Sequence, residues 1–242
     1  MNFPPLTLIS LVLLECILSW LFIRFFNKGN LRVLGLGPNS KNLVDFLLFI
    51  LIGALSFFLD YGANILLRHD HWIPYSGQVP IVQRIGLIFF GALFEELIFH
   101  GILFYMLVKK AGTINAIWIS SLAFGIFNAI NYQLWGHWTE FIKVLFLTGI
   151  LGFVYGYGFI KSGSMVTALA LHFGANLIAA LLFTNQMNAG LLILSHPENI
   201  KPLSFSLSLM VKILPALSTL ILGMACIRIR NRNTEPLSGP GQ

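Results

Sequence analysis

Two adjacent carboxylates, Glu95 and Glu96, stand halfway along a hydrophobic run at 83–109 that is long enough to cross a bilayer. A charge at the centre of a spanning helix costs on the order of 2.5 to 3.5 kcal/mol even on lenient insertion scales, so such residues line a cavity, find a partner or serve chemistry. On a helix the two glutamates point in different directions, while His100, four residues after Glu96, returns to nearly the same face. Glu96 and His100 can pair, which leaves Glu95 free. The four-residue spacing recurs in two later runs, as Phe124 with Asn128 and as His172 with Asn176. Three polar stripes at membrane depth suit a water-filled internal cavity.

A carboxylate, an imidazole and an amide around a buried water are the parts of a hydrolytic site. The carboxylate accepts a proton from water, the imidazole does likewise or holds a metal, and the amide donates to a developing oxyanion. A satisfied structural network of the same groups would read identically in the sequence. An ion path built on the intramembrane acids, Glu15 and Asp60 included, is a further reading.

The elements that must position these residues are membrane helices. Of 242 residues, 57% are hydrophobic and 10% charged, and the apolar residues fall in blocks rather than in short amphipathic stripes. The pattern predicts an all-α, polytopic helix bundle forming a single transmembrane domain over 1–242. About seven spans are expected, at 6–26, 43–67, 83–109, 113–132, 141–160, 165–183 and 213–229, with 205–212 near the interface. The candidate site then lies between the third, fourth and sixth spans. The first run has neither a basic flank nor a small-residue cleavage site, and reads as a retained span. The six glycines at 91, 101, 125, 149, 152 and 174 are expected to allow close helix packing around the site.

The chain has 15 Lys and Arg against 9 Asp and Glu, an excess that in a soluble protein would suggest a nucleic-acid partner. Here the bases sit between apolar runs and act as topology signals, so no nucleic acid is expected. Arg24, Lys28, Arg32, Lys41, Lys109, Lys110, Lys161, Arg228, Arg230 and Arg232 fall on one side, which the positive-inside rule makes cytoplasmic. The amino terminus is then outside, the carboxyl terminus inside, and 230–242 a flexible cytoplasmic tail. Cys16 and Cys226 are expected as free thiols. His69 and His71 flank Asp70 in a loop with Trp72 and Tyr75, and the motif reads as a solvated interfacial turn rather than a metal site.

The three stripes carry a resemblance. EELIFHG at 95–101, FGIFN at 124–128 and HFGAN at 172–176 resemble the CPBP family of intramembrane proteases, also called Abi, which includes CAAX-processing endopeptidases and bacteriocin-immunity-type proteins. The family pattern is EExxxR, then FxxxH, then HxxxN, each on its own membrane helix. The resemblance runs over 89–180, within a catalytic core expected at 80–183. It implies that Glu95 is the carboxylate that activates the attacking water, Glu96 the second acid, His172 the later histidine and Asn176 the oxyanion donor. It also allows a divalent metal such as zinc, with Glu95 and His172 as ligands.

Two positions depart from the pattern. His100 stands where the family has Arg, and lacks the five-donor fork of a guanidinium. Asn128 stands where the family has His, and can hydrogen-bond water but cannot act as a base. The resemblance implies an intramembrane endopeptidase acting on hydrophobic or membrane-associated peptides, while the compact size, short loops and lack of targeting signals lead us to expect a bacterial inner membrane, with its lipids as partners. The alternatives are a noncatalytic relative that binds hydrophobic or lipidated peptides in immunity or regulation, and a small proton-coupled transporter.

Overall fold

The computed structural model describes residues 5–27, 30–68, 71–74, 80–184, 192–195 and 204–233. The apolar runs form helices. Helix α1 (Pro5–Asn27) leads through a short 3-10 turn (Leu31–Leu34) into α2 (Ser40–Arg68). The third run is split into α3 (Ile81–His100) and α4 (Ile102–Ala111), and only Gly112 separates α4 from α5 (Thr113–Asn131). Helix α6 (Trp138–Ser162) is followed by α7 (Met165–Leu177), which runs on as a π-helical turn (Ile178–Leu182). The last run comprises α8 (Phe205–Ser218), a second π-helical turn (Thr219–Gly223) and α9 (Met224–Arg230).

Six of these runs are long and apolar enough to cross a membrane, with α3 and α4 counted as one, and the seventh, Met165–Ala180, is shorter. The chain is a polytopic helical membrane protein. Among the described residues the only strands are short ones outside the bundle: β1 (His71–Pro74), β2 (Phe183–Thr184) and β3 (Leu192–Ser195). Strand β3 lies between the other two, antiparallel to β1 and parallel to β2.

One expectation on length needs correction. The last helix begins at Phe205 and the apolar run covers Ser206–Arg230, so 205–212 are continuous with the expected span at 213–229 as one helix. The side chain of Asp60, the pair His69 and Asp70, residue Tyr75, the side chains of His71 and Trp72, and 234–242 lie outside the described residues.

The basic ends of the helices meet at one end of the bundle. Gly35, with φ at 65°, closes the 3-10 turn, and a Cβ there would run into the carbonyl oxygen of Gly163. Its own carbonyl accepts from Asn42 Nδ2 and from Ser164 Oγ, each at 2.7 Å. Buried Asp45 takes Lys41 Nζ at 2.8 Å and Arg230 Nε at 2.7 Å, tying the start of α2 to the end of α9. Helices α2 and α7 therefore start side by side and run parallel.

Small residues let those helices touch backbone to backbone. A Cβ on Gly53 would meet the carbonyl of Leu171, and a Cβ on Gly174 would meet that of Ile50, a reciprocal contact of α2 with α7. Gly125 on α5 is closed in the same way by the carbonyl of Leu145 on α6. Two of the expected packing glycines are exceptions: a Cβ on Gly91 would meet nothing within 4 Å, and one on Gly101 would meet only Leu97 of its own run.

Candidate active site

Glu95, Glu96 and His100 occupy the end of α3, and the helix breaks immediately after them. At Gly101 a side chain would run into the carbonyl of Leu97, so the chain can turn there only as glycine. Where the helix stops, the carbonyl of Phe99 accepts the Ser120 hydroxyl of α5 at 2.6 Å, which satisfies a helix-end acceptor inside the membrane.

Glu96 is fully buried, and its two oxygens are divided between two imidazoles. His100 Nδ1 lies 2.8 Å from Oε2, as the four-residue spacing predicts, and His172 Nδ1 of α7 lies 2.8 Å from Oε1. The His100 ring also reaches across to α6, where Nε2 donates to the Gly152 carbonyl at 3.1 Å. Both nitrogens of His100 thus face oxygens. The pair must hold a proton beyond a neutral ring and a carboxylate, either on Nδ1 or on Glu96 Oε2. This is how an imidazole occupies a position where the family carries a guanidinium.

His172 is oriented by the same carboxylate. A hydrogen bond from Nδ1–H to Glu96 leaves Nε2 as the free position of the ring, and Nε2 faces Glu95 Oε2 at 3.8 Å. That separation exceeds a direct hydrogen bond. Glu95 therefore has a partner that its own helix does not supply.

The walls are aromatic. Tyr155 of α6 stacks on the His172 ring with centroids 5.3 Å apart, and Phe124 of α5 meets it edge-on at 5.7 Å. The same two rings, with Phe104, pack around His100. Charges in such surroundings interact far more strongly than in water.

A cavity of about 450 Å³ opens beside these rings, between α5, α6, α7 and α8. His172 and Asn176 line it from α7, and Phe124, Asn128 and Tyr132 from α5. Asn128 donates one N–H to the carbonyl of Phe124 at 3.0 Å, so half of its donor capacity is spent within its own helix. Glu95 is not on the cavity wall and meets it through His172. All six expected residues thus fall in one region between α3, α5 and α7, in two connected parts: a buried acid–imidazole chain and an amide-lined cavity.

Sequence reasoning missed Tyr155 and Ser120, and read Gly152 as a packing residue without foreseeing its carbonyl as the partner of His100. The glycines of the run GFVYGYG at 152–158 were the available signal, because Gly152 and Gly156 let α6 approach Phe124 and the His100 ring. A zinc site fits poorly. Glu95 and His172 supply two donors where catalytic zinc takes three protein ligands, and among the described residues no group of three or more His, Cys, Asp or Glu can hold a metal.

Fold and site define a class: a polytopic helical membrane protein with a buried carboxylate–imidazole cluster between its helices. Comparison agrees with the resemblance, since residues 77–178, less than half of the chain, match the family model described as type II CAAX prenyl endopeptidase Rce1-like, which is similar to the CPBP/CAAX protease pattern. No curated protein and no solved structure matches the chain. At the level of the family, the match supports an intramembrane protease.

Proposed function

We propose that the protein is an intramembrane endopeptidase that hydrolyses peptide bonds of hydrophobic or membrane-associated peptides. The observation that carries the reading is the clamp of Glu96 on His172, which turns Nε2 toward Glu95 beside a cavity. A water between Glu95 and His172 gives up a proton to one of them as its oxygen attacks the peptide carbonyl carbon. The carbonyl electron pair moves onto oxygen, where the amide of Asn176 donates a hydrogen bond. Collapse of this intermediate breaks the C–N bond, and the proton passes to the leaving amine. Each step is one that a carboxylate, an imidazole and an amide perform without a third metal ligand.

The basic ends that gather around Asp45 support a cytoplasmic face there, with the amino terminus outside, in a bacterial inner membrane. One observation favours a second reading, a noncatalytic relative that binds peptides: Asn128 stands where the family has a base. Proteolysis of a mixed library of membrane-tethered peptides by the purified protein separates the two. Products formed by wild type, absent with Glu95→Gln and insensitive to chelator, are the expected result. Products lost on chelation would assign the chemistry to a metal, and binding without products would favour the second reading.

A further inference from the structure

The mechanism uses only the deep end of the cavity. At the other end its wall carries three charged side chains, Glu140 and Lys143 from α6 and Lys212 from α8. Lys143 Nζ pairs with Glu140 Oε1 at 2.7 Å, and Lys212 lies within electrostatic reach of the same carboxylate. Two cations against one anion leave the mouth with a surplus positive charge. The Glu140–Lys143 pair is open to solvent, which screens it, so Lys143 can exchange partners at little cost.

Position gives the surplus charge a distance. Lys143, Leu147, Leu151 and Tyr155 follow one another at four-residue steps along the lining face of α6, and Tyr155 is the ring stacked on His172. Twelve residues of helix separate Lys143 from Tyr155, a rise of about 18 Å. An extended chain covers that length in about five residues. Between the two ends the wall is mostly apolar, which suits hydrophobic side chains and leaves the charged end as the place where one polar group is recognised.

We infer that Lys143 and Lys212 are specificity-determining residues that bind a carboxylate of the substrate peptide, about five residues from the bond that is cut. The inference rests on the protease reading, and it adds a substrate requirement that the acid–imidazole chain does not impose. The ligand is an extended apolar peptide segment ending in, or carrying, one acidic group.

The test uses dansyl-labelled hydrophobic dodecapeptides with a single Asp at three, five, seven or nine residues from the cleaved bond, each with its Asn counterpart, presented in phosphatidylcholine vesicles to the full chain. The expected result is a KM at least tenfold lower for Asp than for Asn at the five-residue position. In the Lys143→Met, Lys212→Met double variant that preference falls below threefold through a rise in KM for the Asp peptide, with the melting temperature unchanged. Equal KM for Asp and Asn peptides in wild type overturns the inference while leaving a protease. So does a preference that survives in the double variant, or one abolished by phosphatidylglycerol, which would assign the cations to lipid. Fluorescence anisotropy of the same peptides on Glu95→Gln reads binding alone. An Asp preference there that the lysine substitutions remove upholds carboxylate binding by the two lysines even if no peptide is cut, while the five-residue distance then falls with the protease reading, so the two readings fail separately.

Discussion

Two buried carboxylates, Asp45 and Glu96, each hold two nitrogen bases, and the difference between the bases separates clasp from site. Asp45 sits near the basic end of the bundle and binds Lys41 and Arg230, permanent cations whose own side chains reach solvent. Nothing in that arrangement has a proton to move. Glu96 sits at membrane depth and binds His100 and His172, rings that can each gain or lose a proton. The first cluster fixes the end of α9 against α2. The second fixes the orientation of one imidazole and keeps its other nitrogen available. A buried acid is therefore no mark of chemistry by itself; what it holds decides.

The contrast breaks most sharply at Glu95. Replacing it with Gln should lower turnover by about 10³-fold, within the range for loss of a general base, and leave the melting temperature near wild type. Assays normalised to folded protein check this. Asp45→Asn should do the reverse. Its cations can rehydrate, so a loss of about 2–3 kcal/mol in stability is expected by denaturant titration, with turnover per folded molecule unchanged.

Gly174 joins the two behaviours, because it packs α7 on α2 two residues after His172. Gly174→Ala should cost about 1–3 kcal/mol through contact with the Ile50 carbonyl, and should also lower turnover by displacing His172. Gly91→Ala, with open space around it, should do neither. The smallest effect is expected at Asn128. Restoring a base with Asn128→His should raise turnover several-fold, read in the same peptide assay.

The stripes were legible because their periodicity is local. Glu96 with His100 is a four-residue pair on one helix, and its bond appears at the expected place. The Glu96–His172 bond joins residues 76 apart in the chain, and no spacing rule reaches that far. For the same reason Glu95 read as free, since its partner arrives on another helix. Asp45 was overlooked because an acid four residues after a lysine at a helix start reads as a solvated surface pair. Only the return of Arg230 shows it buried. The start of the last helix was misplaced because Ser206, Ser208 and Lys212 dilute its first turns, while α8 itself begins at Phe205.

The central claim is that the Glu96 carboxylate serves the chemistry both by orienting His172 and by stabilising that ring as it takes up a proton, and Glu96→Gln tests the second part most directly. A Gln side chain can accept from His172 Nδ1–H and donate to His100 Nδ1 while His100 Nε2–H keeps the Gly152 carbonyl, so every hydrogen bond survives while the ionisable carboxyl, and the proton it shares with His100, are lost. Turnover and thermal unfolding should be measured together on this variant in proteoliposomes. The expected result is a melting temperature near wild type with turnover reduced by about 10²-fold or more. Wild-type turnover would contradict the claim, and would make Glu96 a second clasp like Asp45.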